Sequence, residues 1–191
     1  MYQLKFKRLF DFFLSLFLLL ILSPIMVLIF LLVWINIGYP IFKQTRPGLN
    51  KKLFTVYKFR TLNDDLKEIS INKKQSKLGI FLRKTGLDET PQLFNVLNNS
   101  MSLVGPRPLL TEYLNKYSDY ENIRHLVKPG ITGLAQVYPT TTGKKDWRKS
   151  IRLDIFYVSN VTFALDLFIL VKTIKIIFAN KKQYNDFNKS F

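Results

Sequence analysis

Between Phe12 and Phe42 the chain carries no charged residue, and most of those positions are Leu, Ile, Phe or Val. About 20 apolar residues cross a bilayer as a helix, so this stretch points the N-terminal part towards a membrane. It is too long for the apolar region of a signal peptide, and no small-residue cleavage site follows it. Two features bear on its path. Ser23-Pro24 sits in the middle of the run, and an internal proline removes one helical hydrogen bond and kinks the helix. Lys5, Lys7 and Arg8 precede the run, while Lys43, Arg46, Lys51 and Lys52 follow it. Cationic flanks mark the cytoplasmic side, and here both flanks qualify. A re-entrant helix, broken at Ser23-Pro24 and leaving by the face it entered, satisfies both. The Ser23 hydroxyl would then take the carbonyl that the proline frees. An ordinary proline-kinked span is the competing reading.

The rest of the chain is long enough for one modest domain. Lys and Arg number 29 against 13 Asp and Glu, a net charge of +16, which favours anionic partners: nucleic acid, lipid headgroups or phosphorylated substrates. There is no cysteine, which excludes disulfides and thiolate metal sites. Residues 41–44 and 54–59 read as two short strands joined by the turn-rich Arg46-Pro47-Gly48-Leu49-Asn50. Helices are expected over residues 88–97, 109–125, 147–159 and 162–178, and a short extended stretch over 134–137. Residues 62–84 are polar with helical patches, and 73–77 and 140–145 read as loops. The last helix is apolar apart from Asp166, Lys172 and Lys175, the pattern of an interfacial helix; a core helix is the alternative. The fold class is α+β and mostly helical.

Three short segments carry chemical potential. In Leu87-Asp88-Glu89-Thr90-Pro91-Gln92, Pro91 is tolerated only in a first helical turn. Asp88 then lies near the N-cap and Glu89 in the first turn. Plain capping explains both. The chemical alternative is that a helix N-terminus lowers a carboxylate pKa and attracts phosphate. An ionised Asp88 there can act as a nucleophile towards phosphorus, and Glu89 can hold a divalent ion. In Tyr57-Lys58-Phe59-Arg60-Thr61, alternation puts Lys58 and Arg60 on one strand face, where they can flank a phosphate or simply face water. In Gly105-Pro106-Arg107-Pro108, two prolines fix an arginine, which suits bidentate phosphate binding or a rigid connector. Arg83 is a further candidate, and the lone His125 is not read as a base.

Together these segments resemble the bacterial sugar transferase family, the small monotopic phosphoglycosyl transferases. The matching pieces include Lys7-Arg8-Leu9-Phe10-Asp11, Ser23-Pro24, Gly38-Tyr39-Pro40, Tyr57 to Thr61, Phe81-Leu82-Arg83-Lys84, Leu87-Asp88-Glu89, Pro91 to Leu97, Met101 to Pro108, Pro129 to Gly133, Ala135-Gln136-Val137 and Leu153-Asp154. The resemblance implies a membrane anchor over residues 1–38, a catalytic domain over 39–180 and a polar tail over 181–191. It implies transfer of a sugar 1-phosphate from a UDP-sugar to undecaprenyl (polyprenyl) phosphate, the first membrane step of glycoconjugate assembly. Asp88 would form a covalent phosphosugar adduct and release UMP. Glu89 would help bind Mg²⁺, and Lys58, Arg60, Arg83, Gln92, Arg107 and Asp154 would bind phosphate or substrate. The implied partners are the lipid bilayer and downstream glycosyltransferases, with no nucleic acid. The implied location is the bacterial inner (cytoplasmic) membrane, with the catalytic domain facing the cytoplasm. The chain departs from the family pattern at Gly86, at Thr90 and after Val137, where Tyr138-Pro139 stands in place of Asn-Gly. A basic lipid- or nucleic-acid-binding protein, and a glycosyltransferase that moves sugar without its phosphate, are the rival readings.

Overall fold

The computed structural model describes residues 5–62, 76–138 and 147–179. The loops expected over 140–145 and most of 73–77, and the tail from 181, lie outside these residues. Helix α1 (Lys7–Ile37) is followed by an antiparallel hairpin, β1 (Ile41–Pro47) and β2 (Leu53–Phe59), joined through a 3₁₀ turn at Leu49–Lys51. Helix α2 (Lys77–Thr85) leads through the 3₁₀ turn Leu87–Glu89 into α3 (Gln92–Leu97). Strand β3 (Ser102–Val104) pairs in parallel with β4 (Gly130–Thr132). Between them lie a 3₁₀ segment Thr111–Lys116, the single turn α4 (Asp119–Asn122) and a 3₁₀ turn Ile123–Leu126. Helices α5 (Leu134–Val137), α6 (Trp147–Ser159) and α7 (Phe163–Ala179) complete the described part.

α1 is a single helix through Ser23-Pro24, not two helices with a break between them. The reason is local. Pro24 has no N–H for the carbonyl of Leu20, and the Ser23 hydroxyl donates to that carbonyl at 2.9 Å. Buried positions Asp11, Ser15, Leu19, Met26, Ile29 and Val33 recur every three, four or seven residues, the stripe of one helix face. Leu19, Met26, Ile29 and Val33 join the same apolar core as Val56, Phe59, Leu93, Val96 and Val104. The other faces are bare: Phe13, Leu20 and Ile35 are more than 60% exposed. The most apolar 18-residue window has a mean hydropathy of 3.2 and is only 17% buried. A soluble core helix of that composition would be mostly covered. The exposed apolar surface therefore suggests membrane association.

The base of α1 is bolted to the domain by polar contacts. Lys7 Nζ lies 2.5 Å from Asp166 Oδ2 on α7, and Arg8 donates to the carbonyls of Val96 and Leu97 at the end of α3. Asp11 accepts from the Ser102 hydroxyl and the Leu103 N–H of β3. Asp166 is fully buried and also accepts from the Tyr157 hydroxyl at 2.7 Å. Removing one partner of a buried ion pair strands the other charge, at about 3–5 kcal/mol. Asp166→Asn is thus expected to lower stability on that scale in detergent unfolding experiments; a shift below about 1 kcal/mol would show that the latch is not stabilising.

Four further sequence expectations change. Residues 109–125 do not form one helix, because Ser118 is extended and starts a new turn with a Ser118–Glu121 capping box. Residues 134–137 form a helical turn, and the extended segment lies just before them at Gly130–Thr132. The helix expected from Asp88 opens as 3₁₀, with α-helix beginning at Gln92. Pro91 cannot donate to the Leu87 carbonyl, which instead accepts from the backbone and hydroxyl of Thr90. The strands themselves run longer than expected, to Pro47 and from Leu53.

Candidate active site

Two tight junctions set the site. The buried Asn95 of α3 donates to the Thr55 carbonyl at 2.7 Å and accepts from the Tyr57 N–H at 3.1 Å. This seats α3 on the free edge of β2. On the other side, a Cβ on Gly79 would lie 2.3 Å from the Thr61 carbonyl, so only glycine lets α2 approach so closely. One turn later Arg83 Nε donates to the Thr61 hydroxyl at 2.7 Å. Gly86, at φ +70°, then turns the chain into Leu87–Glu89; its positive φ suits glycine.

Glu89 is the centre of charge. Its Oε1 accepts from Lys58 Nζ at 2.6 Å and from Arg107 Nη2 at 2.8 Å. The strand cation, the Pro-Arg-Pro cation and the dyad are thereby brought together. Lys58 and Arg107 hold the Glu89 carboxyl down at about 2, against the opposing effect of burial. Glu89 in turn raises the Arg107 guanidinium. The neighbouring Asp88 makes no hydrogen bond or ion pair among the described residues. Burial first, and then the charge of Glu89, push its carboxyl up to about 6, against the pull of Lys58, Arg83 and Arg107. The expected depression by a helix N-terminus is therefore corrected: a three-residue 3₁₀ turn supplies little dipole, and the depressed carboxyl is Glu89.

The linkage signs oppose each other. Glu89 contributes stability above the ordinary carboxylate range that is lost as pH falls towards about 2. Asp88 favours the folded state when protonated, a contribution lost as pH rises through about 6. Any step that needs the Asp88 carboxylate should then show an acid limb with a midpoint near 6 in the free enzyme. A midpoint near 4 in the pH profile of kcat/KM for the donor would contradict this electrostatic picture.

The other expected residues divide. Arg83 acts on Asp88 electrostatically while anchored on Thr61. Gln92 is buried at the start of α3, one turn after Asp88. Arg60 does not share the Lys58 arrangement: β2 ends at Phe59, and Arg60 Nε donates to the Tyr39 carbonyl with its guanidinium over Phe42. Asp154 is buried on α6 against Arg124, where it contacts no open surface. Arg46 is marked in the sequence only as a membrane flank and as the start of the turn-rich 46–50 segment. It is half-buried, donates to the Gln44 side chain at 2.5 Å, and is electrostatically coupled to Arg107 and Glu89. Its place at the strand end before Pro47-Gly48 was the available signal.

Among the described residues no three His, Asp or Glu form a metal cluster. A magnesium ion needs no such cage; it commonly takes one or two carboxylates and completes its shell with water and substrate phosphates. Both cations bind Oε1 of Glu89, and no hydrogen bond to Oε2 is made among the described residues, so Oε2 can serve that purpose. The donor set fits an ion that arrives with a diphosphate.

With this geometry in place, the chain matches the profile of the family described as bacterial sugar transferase over residues 2–180. It belongs to that family. It is 44% identical to the uncharacterized sugar transferase EpsL of Bacillus subtilis, over 92% of this chain and 88% of that one. It is 38% identical to the undecaprenyl-phosphate galactose phosphotransferase of Salmonella typhimurium, over 93% of this chain and 41% of that one. A UDP-glucose:undecaprenyl-phosphate glucose-1-phosphate transferase of Klebsiella pneumoniae is 41% identical, over 95% of this chain and 42% of that one. The chain thus spans nearly all of the Bacillus relative but less than half of the other two.

Proposed function

We propose that this chain transfers a sugar 1-phosphate from a UDP-sugar to undecaprenyl phosphate, with Asp88 as the nucleophile. The carrying observation is the asymmetry of the dyad. Glu89 is locked between Lys58 and Arg107, while its neighbour Asp88 makes no hydrogen bond or ion pair among the described residues and lies in the field of Lys58, Arg83 and Arg107. In the first step an Asp88 carboxylate oxygen bonds to the sugar-bearing phosphorus. The bond from that phosphorus to the bridging oxygen breaks, and UMP leaves with the electron pair. In the second step an oxygen of the lipid phosphate attacks the same phosphorus. The bond to Asp88 breaks, restoring the carboxylate and giving polyprenyl diphosphate-sugar. Lys58, Arg83 and Arg107 stabilise charge on the phosphoryl oxygens in both steps. Glu89 keeps Lys58 and Arg107 in place and, with Asp88, would hold Mg²⁺, which neutralises phosphate oxygens when bound.

A re-entrant α1 would bring this site to headgroup depth, where a water-soluble donor and a lipid acceptor meet. Cationic residues flank both ends of the helix. One end docks through Arg8 on α3, and the other continues into the hairpin that Asn95 joins to α3. A straight helix of this length would extend about 46 Å, beyond the roughly 30 Å of a hydrocarbon core. Cysteines introduced at Lys5 and Lys43 are expected to be labelled from the cytoplasmic face alone. Labels on opposite faces would leave a simple span.

The function itself is tested by UMP release with undecaprenyl phosphate and a panel of donors. The panel should include UDP-glucose and UDP-galactose, after the names of the relatives, and N-acetylated deoxy- and amino-sugar donors. Release of UDP in place of UMP would favour a glycosyltransferase. Release of neither would favour a binding protein.

A further inference from the structure

We propose that Arg124 and Asp154 are a buried positioning pair that fixes the backbone of Arg107, and through it the guanidinium that grips Glu89. This rests on the catalytic reading above. Arg124 and Asp154 side chains are 2% and 5% exposed, and neither touches the dyad. Arg124 Nη2 and Nε donate to Asp154 Oδ2 at 2.8 and 3.2 Å. The same Nη2 donates to the carbonyl oxygen of Arg107 at 2.6 Å, and Nη1 reaches the Tyr117 hydroxyl at 3.3 Å. One planar fork thus joins α6, the Tyr117 segment and the Pro-Arg-Pro loop.

The loop is well suited to such a hold. Pro106 and Pro108 have no N–H, so within the tripeptide only Arg107 offers a backbone donor. The segment is held through its carbonyls instead. The Pro106 carbonyl accepts from Gly130 N–H at 3.0 Å, and the Arg107 carbonyl accepts from Arg124. Asp154 supplies the counter-charge without which Arg124 would be a buried, uncompensated cation. It is itself seated on α6, between the core residues Ile151 and Ile155 that pack with Tyr117. A lysine at 124 could satisfy Asp154, but it lacks the planar fork that binds Asp154, Tyr117 and the Arg107 carbonyl together.

The test is a mutant cycle in the full-length protein, read by UMP release. Arg124→Lys should lower kcat/KM for the donor by about 100-fold, the scale of an ångström-level misplacement of a catalytic group. On an Arg107→Ala background it should cost no more than about twofold, because its target is already gone. If Arg124→Lys loses its cooperative melt, Tyr117→Phe, which removes one anchor of the guanidinium fork and strands no charge, takes its place in the same cycle. Multiplicative losses, or an Arg124→Lys enzyme with unchanged kcat/KM, would overturn the positioning role. Wild-type protein that releases no UMP would overturn the parent reading, and this one with it.

Discussion

Asp88→Asn is expected to abolish both UMP release and the covalent adduct. The substitution keeps the shape of the side chain and replaces the carboxylate nucleophile with a neutral amide. Loss of a nucleophile in a two-step transfer typically costs at least about a thousandfold in kcat. Intact-mass analysis after donor addition should show the wild-type chain heavier by one sugar phosphate and the variant unshifted. The fold should be indifferent, because Asp88 makes no hydrogen bond or ion pair among the described residues. Burial and the charge of Glu89 hold its carboxyl at about 6, so the neutral amide removes a group that is strained when ionised. A variant with unchanged or raised melting temperature and no adduct is the expected result. Near-normal turnover would remove Asp88 from the chemistry.

Glu89→Gln should be nearly as damaging, through a different route. It breaks the junction that holds Lys58 at 2.6 Å and Arg107 at 2.8 Å. Loss of preorganised charge around a phosphoryl group is worth about 100- to 1000-fold. The magnesium requirement should also weaken, since Oε2 of Glu89 is the oxygen left for a cation. A second signature distinguishes this from simple misfolding. The Glu89 charge raises the Asp88 carboxyl, whereas Lys58 and Arg107 lower it. Removing the first and releasing the other two should move the acid limb of the residual activity below pH 6. A limb that stays at about 6, with an unchanged metal requirement, would show that Glu89 neither tunes Asp88 nor binds the ion.

The parts of this site that could be read in the sequence are those encoded by immediate neighbours. A proline after Asp-Glu confines the pair to a first turn, and prolines on both sides of Arg107 fix its backbone. The turn at Arg46 to Asn50 announces the hairpin that carries Lys58. The Ser23 hydroxyl was legible too, because a proline always orphans the carbonyl four residues before it. What could not be read depends on partners far apart in the chain. Lys7 meets Asp166 and Asp11 meets Ser102, and nothing local marks either carboxylate as an anchor for α1. Arg124 looks like one cation among 29 until Asp154 and the Arg107 carbonyl are placed around it. Arg60 misleads for the opposite reason: alternation extends only as far as the strand, and the strand stops one residue earlier. The capping box at Ser118 was present in the sequence and shows why residues 109–125 do not stay in one helix.

The 3₁₀ pitch at Leu87–Glu89 has a chemical consequence. With three residues per turn, adjacent side chains leave the axis about 120° apart. Two acids joined by a single peptide bond can therefore differ in their partners although they share one cluster of cations. Glu89 is spent on clamping Lys58 and Arg107, while Asp88 makes no hydrogen bond or ion pair among the described residues. A backbone detail traceable to the missing N–H of Pro91 thus turns two similar carboxyls into a fixed strut and a free blade.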